Sequence, residues 1–407
     1  MSNKMGLFVQ LPRSLAIVTA LSLGIGLAVL PKVGWAEVPA HPSVRPSPSL
    51  RLVDLTLLPK QVGLDHPLRS HQYQSERVRL LEAIDTSLRY LQTPRAIQAY
   101  QNYPIPGITL DRVQRSLVRF RQLVTTSRSA AALQVAVRRE FLFYQAVGKD
   151  GQGTVAFTGY FEPIYWASRQ RTPTYRYPLY QAPPNLAQWP KPHPDRSALE
   201  GRDGLQGSQG PLQGLELVWL SDRLEAFLIQ VQGSARLQLT DRSTMTVGYA
   251  GHTDYPYVGI GRELVKDGKL KQEDLTLQAL LAYFRRFPQD LDKYIPRNKR
   301  FIFFRETNGA PATGSLGQPV TAGRSIATDK SLFPPGALAI IQTPLPERDA
   351  TGRWVQRMNS RFVLDHDTGS AIKGPGRVDL FTGTGREAGS QAGLINATGQ
   401  LYYLLLR

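Results

Sequence analysis

At 407 residues, 42% of them apolar, the chain is long enough for two or three folded domains and too apolar to be disordered. Its formal charge of +17 points to an anionic partner: a membrane surface, nucleic acid or an anionic wall polymer. It has no Cys, which excludes disulfides, a thiol nucleophile, a thiolate metal site and a lipid carried on cysteine.

Residues 1–36 read as an export signal. Lys4 and Arg13 supply the basic start, Leu15 to Leu30 is uncharged and apolar, and Gly34-Trp35-Ala36 precedes a cut after Ala36. The apolar run is short for a membrane span, which needs about 20 residues, so a cleaved signal is favoured over an uncleaved membrane anchor, which stays open. Export places the mature chain in the periplasm or cell envelope, with no lipid anchor because there is no Cys. It also argues against nucleic acid, as does the scatter of the basic residues. A monomer with peripheral membrane association is expected.

Residues 37–70 read as a Pro-rich linker that becomes ordered near Val53-Asp54-Leu55. Three amphipathic helices follow, over 74–91, 111–125 and 130–147. At Gly148 the period changes. Val155 to Pro163 reads as a strand, and the chain to about Leu291 is β-rich and interrupted. Strands are expected over 215–220 and 226–239, loop over 183–214 and around Gly248 to Tyr257, and a helix over 272–287. In the strand reading Gln230 and Gln232 share a face, suited either to sugar hydroxyls or to solvent. After Arg300, apolar strands at 301–304, 338–341, 362–364, 378–381 and 401–406 suggest a small closed barrel.

The chemistry-bearing candidates are carboxylates. Asp379 sits between Val378 and Leu380 in an apolar strand, where a carboxylate is costly without a partner or a task. Asp329 and Asp367 lie at other strand ends. Gly383-Thr384-Gly385-Arg386-Glu387-Ala388 matches a dinucleotide fingerprint, but too little chain follows for the unit it needs. Asp365-His366-Asp367 alternates faces in a strand, so neither a metal nor another cofactor is expected.

Three stretches together resemble the three-aspartate (3D) domain of cell-wall enzymes: Thr328 to Gly336, Asp367 to Gly374, and Arg377 to Phe381. Upstream, Thr158-Gly159-Tyr160-Phe161-Glu162-Pro163, Gln230 to Ser234 and Gly248 to Gly251 resemble the membrane-bound lytic murein transglycosylase A family. The resemblance runs from about Thr154 to the C-terminus. It implies a mainly β fold with N-terminal helices: a double-psi β-barrel with a second β-domain inserted and a groove between them. Mapped on this chain, 71–160 holds the helices and first barrel strands, 161–299 the insert, and 300–407 the 3D domain.

The family implies a lytic transglycosylase that cuts peptidoglycan glycan strands. Asp379 matches its single catalytic acid, with Asp367 and Asp329 as orienting or pKa-setting partners. Tyr160, Gln232, Ser234, Tyr249 and Lys373 are the candidate glycan contacts. Apolar neighbours and the like charge of Asp367 should raise the pKa of Asp379, giving an acidic optimum. Two other readings stay open: a hydrolase using Asp379 with Glu162 or Asp367, and a wall-binding protein without catalysis.

Overall fold

The computed structural model describes residues 48–69, 73–101 and 103–407. The expected export signal lies outside the described residues, as does the start of the expected linker.

β1 (Leu50–Val53) precedes four helices: α1 (Tyr73–Leu91), α2 (Pro94–Gln101), α3 (Leu110–Thr126) and α4 (Ala130–Glu140). β2 (Phe141–Ala146) and β3 (Val155–Glu162) follow. Then come β4 (Ile164–Ser168), β5 (Tyr177–Tyr180), α5 (Arg196–Glu200), β6 (Glu216–Leu220), α6 (Arg223–Gln232), β7 (Ser234–Leu239) and β8 (Thr244–His252). α7 (Ile260–Lys266), α8 (Leu277–Arg286), α9 (Leu291–Tyr294) and β9 (Ile302–Glu306) complete the middle of the chain. The last part holds β10 (Ser325–Ala327), β11 (Leu338–Arg348), β12 (Trp354–Asp367), β13 (Arg377–Thr384), α10 (Arg386–Leu394) and β14 (Asn396–Leu406).

Six strands close into a barrel in the order β14-β11-β12-β10-β13-β3, with β3 pairing back onto β14. β13 runs parallel to β3, and β10 parallel to β12. β2 and β1 extend the sheet beyond β14. The second sheet has the order β5-β6-β4-β7-β8-β9, and Gln181 after β5 bridges to Phe304 of β9, so this sheet curls on itself. The chain leaves the barrel at Glu162 and returns to it after Glu306. The molecule is therefore mixed α/β rather than mainly β.

The helices form where caps and apolar spacing agree. Thr109 accepts the amide of Arg112 to start α3, and Ser129 that of Ala132 to start α4. α3 buries Val113, Leu117, Phe120 and Val124 on one stripe, and Phe120 meets Phe362 of β12 at 4.8 Å. Each such side chain, fully buried, contributes roughly 1.5–3 kcal/mol.

One buried charge fastens the N-terminal part to the barrel. Arg324, just before β10, is fully buried and pairs with Asp65 at 2.6 Å and Glu76 of α1 at 3.1 Å. Asp65 also accepts the amide of Phe362 at 2.9 Å. Without these partners the guanidinium could not be held away from water.

Five expectations are corrected. The strand expected at 301–304 as part of the barrel is β9, which pairs with β8 in the second sheet. The helix expected over 130–147 stops at Glu140, because Phe141 and Phe143 turn inward as β2 on β14. The strand expected over 226–239 is α6 followed by β7. Asp222 caps α6 through the amides of Leu224 and Glu225, and Gly233 ends it at φ 81°, where glycine is favoured. Gly248 to Gly251, expected as loop, lies within β8. The linker expected to end at residue 70 is already paired at Leu50.

Candidate active site

Register builds the site. Asp379 of β13 stands opposite Thr158 of β3 on one side and Ala327 of β10 on the other. Ala327 stands opposite Asp367 of β12. The four residues form one row across the sheet. With strands about 4.8 Å apart, the two aspartate Cα atoms are about 10 Å apart, with only the small Ala327 between them. Alternation sends Val378 and Leu380 into the core and Asp379 to the other face.

Among the described residues the Asp379 carboxyl has no hydrogen-bond partner. Its nearest charged neighbour is Arg377, whose Nη2 lies 3.6 Å from Oδ1 and donates instead to the Thr158 hydroxyl at 2.8 Å. Burial pushes the Asp379 carboxyl up to about 6; Arg377 opposes this, and the charge of Asp367 adds a smaller upward push. Its side chain nevertheless keeps 19% exposure. Asp379 is thus surrounded by protein and still open to solution.

Asp367 is held differently. Its Oδ1 accepts the amides of Ser315 at 2.7 Å and Thr368 at 2.8 Å. Burial outweighs these bonds and raises its pKa. The ring of Tyr160 packs on Phe381 at 5.2 Å. Its hydroxyl feels the charges of both Asp367 and Asp379 but forms no hydrogen bond of ordinary length. Tyr160 Oη, Arg377 Nε, Asp379 Oδ1 and Ser315 Oγ are all buried polar atoms without a hydrogen-bond partner among the described residues. Unpaired buried polar atoms are rare in folded proteins, and several around one point mark a place for a ligand.

The third aspartate is separate from this row. Asp329 accepts the amides of Ser331 and Gly374 and the Ser331 hydroxyl, clamping the loop between β12 and β13. Burial alone would raise its pKa, but these bonds and the charge of Lys373 bring it below the ordinary value. Lys373 is exposed on that loop. Asp365 is buried against Lys330, Thr328 and Tyr403. His366 faces the other way, between the hydroxyls of Ser87 and Ser325, and burial brings its pKa down to about 3. The Asp365-His366-Asp367 trio does not converge on a metal, and the described residues contain no cluster that could hold one.

Of the candidate glycan contacts, Tyr160 belongs to the site directly. Gln232 ends α6, and its side-chain carbonyl accepts the amide of Phe161 at 3.1 Å, tying the second lobe to β3. Ser234 opens β7 opposite Gly248. Tyr249 is 45% exposed on β8 beside His252. The partner Gln230 is buried, accepting from Arg196 and Ile302. Sequence reasoning missed Arg377, Ser315 and Tyr257. Burial raises the Tyr257 hydroxyl, and the charges of Arg262, Asp379 and Arg377 all reach it. The R-V-D spacing, with Arg377 two residues before Asp379 on a strand, was a usable signal for the first.

A cavity of about 170 Å³ lies between β3, α6, α7, α8 and α10. Its β3 residues, Gly159 and Phe161, alternate with Thr158 and Tyr160 and so face away from Asp379.

Residues 156–305 match the MltA specific insert domain, and residues 324–405 match the 3D domain. Curated relatives include membrane-bound lytic murein transglycosylase A of Escherichia coli, 31% identical over 264 residues, or 64% of this chain and 68% of that one. The chain belongs to the membrane-bound lytic murein transglycosylase A family. It is an enzyme of that family. The Vibrio cholerae member is 32% identical over 262 residues, 64% of this chain and 68% of its own. A solved member from Agrobacterium tumefaciens superposes with TM-score 0.68 at 25% identity, covering 88% of this chain and 98% of the other. E. coli MltA with bound chitohexaose gives TM-score 0.67 at 24% identity, covering 88% and 95%, and shares the fold.

The relatives' name corrects one expectation. They are named membrane-bound, which contradicts the expected periplasmic or cell-envelope placement, while the chain has no Cys to carry a lipid. Among the described residues no helix is long and apolar enough to cross a membrane.

Proposed function

We propose that this transglycosylase cleaves the β-1,4 bond between N-acetylmuramic acid and N-acetylglucosamine in peptidoglycan, without water, leaving 1,6-anhydromuramyl ends. The observation that carries this reading is Asp379: partly exposed, free of hydrogen bonds and with its pKa raised to about 6.

Such a group is protonated in mildly acidic solution and can give its proton to the glycosidic oxygen as that bond breaks. The resulting carboxylate then takes the proton of the C6 hydroxyl of the same sugar, whose oxygen closes on C1. The internal nucleophile, held in line, is worth an effective concentration of roughly 10⁵ M or more, so a second carboxylate to activate water is not needed. Asp367 sets the local field, Tyr160 lies against the reacting sugar, and Asp329 fixes the loop that carries Lys373. Gln232, Ser234 and Tyr249 line the path of the glycan across the second lobe. The chitohexaose on the E. coli relative supports a sugar chain as ligand. The parallel strands β3 with β13 and β10 with β12 support a double-psi barrel, interrupted by an insert over about 161–299.

The hydrolase alternative is weaker. Asp367 is held by two amides, and Glu162 is buried on the Thr384 hydroxyl at 2.8 Å, so neither is placed to activate water. The test is mass spectrometry of products from purified peptidoglycan, with Asp379→Ala alongside. Anhydro-ended products from the wild type alone support the reading; reducing-ended products make it a hydrolase, and binding without release makes it a wall-binding protein.

A further inference from the structure

The outward side of the second sheet carries a feature that the catalytic row does not use. β4 alternates: Tyr165 and Ala167 turn inward, while Ile164 and Trp166 are 39% and 57% exposed. β4 lies inside the sheet, between β6 and β7. In register with Ile164 and Trp166 on β7 are Arg236 and Gln238. On the other flank, Trp219 of β6 stands opposite Ser168 and shares the outward side. Its Nε1 is buried without a hydrogen-bond partner among the described residues. An exposed tryptophan on a central strand, flanked by an amide and a guanidinium, has the chemistry to hold a pyranose: ring on C–H face, polar groups on hydroxyl and acetamido.

This side is continuous with the catalytic strand. Gly385, directly after β13, abuts Ile164: a Cβ there would lie 3.2 Å from Ile164 Cδ1. Glu162 accepts the hydroxyl of Thr384 at the end of β13 and lies 3.8 Å from Arg236. Along the chain, Trp166 is at most about 26 Å from Thr158, the residue opposite Asp379. A single polymer could therefore span from one to the other.

We propose that the Trp166 face, with Gln238 and Arg236, is a distal glycan subsite that stacks on a sugar ring of the same strand several units from the cleaved bond. This rests on the glycan-cleaving reading above and assigns it a preference for long strands.

The experiment compares binding of a short and a long N-acetylglucosamine oligomer to the whole protein, carried on the Asp379→Asn background so that turnover does not interfere. In Trp166→Ala the ratio of affinities, long over short, falls about tenfold, and Trp166→Phe recovers most of it. Tryptophan fluorescence of the parent changes with the long oligomer and not with the short one. An unchanged ratio overturns the proposal. So does a loss of binding to anionic lipid vesicles in Trp166→Ala with the glycan ratio intact, which would make this face a membrane contact. If the wild type yields no anhydro-ended products, the cleavage reading fails by itself; the oligomer ratio still decides the subsite.

Discussion

Asp367 and Asp379 stand in one register row on either side of Ala327, and the two carboxyls are held in opposite ways. Asp367 accepts two backbone amides, while Asp379 accepts none. Burial acts on both, but only Asp379 lacks donors that would favour its charged form. The row thus sets a carboxyl group tied to two amides next to one free to exchange its proton.

Asp379→Asn should abolish product release and also stabilise the fold above pH 6. The native carboxyl has a pKa raised from 3.8 to about 6, so the folded state binds more protons than the unfolded state between those values. Stability therefore falls as pH rises through that window. The cost above pH 6 is at most about 3 kcal/mol. Denaturant melts at pH 4 and pH 8 check this: the mutant should gain at pH 8 and little at pH 4.

The alkaline limb of the pH–rate profile should move in opposite directions in two variants. Arg377→Met removes the charge that pulls the Asp379 pKa down, so the limb moves to higher pH. Asp367→Asn removes the like charge, so the limb moves to lower pH. Rates on a soluble muropeptide substrate across pH 4–8 read both. Shifts of the same sign would mean that another group titrates.

Asp65→Ala should destabilise the protein by about 3–5 kcal/mol, because it strips the main partner from the fully buried Arg324. Urea unfolding measures the loss. Activity per folded molecule should be kept, since Asp65 lies in the N-terminal fastening and not in the aspartate row.

Chelation should leave activity within about twofold of the untreated enzyme. Asp365 is occupied by Lys330, and His366 faces Ser87 and Ser325 on the opposite side of β12. Turnover before and after dialysis against EDTA is the check.

How much was legible depended on whether a signal was local. Asp379 stood out because a charge inside Val378 to Phe381 conflicts with burial, and that conflict is visible in any strand. The α3 stripe was equally plain, from its period. α6 was misread because Phe227, Leu228, Ile229 and Val231 are apolar and partly β-branched; the local signs against a strand were Asp222, Glu225 three residues on and Gly233, a cap at each end. The end of α4 at Glu140 had no such sign. Only the pairing of Phe141–Gln145 with β14, far along the chain, decides it.

The sequence alone determined the three aspartate candidates, the cysteine-free core and five of the six barrel strands, because composition and period are properties of neighbours along the chain; the three-residue β10 left no such signal, and 301–304 proved to be part of β9 in the second sheet. Only the tertiary structure decided that Asp367 and Asp379 share a row while Asp329 clamps a loop, that Gln232 ties two lobes together, and that Arg377 stands beside Asp379 while Ser315 holds Asp367. Those facts depend on strand register and on contacts between residues far apart in sequence, and the shift in the Asp379 pKa depends on the burial that those contacts create.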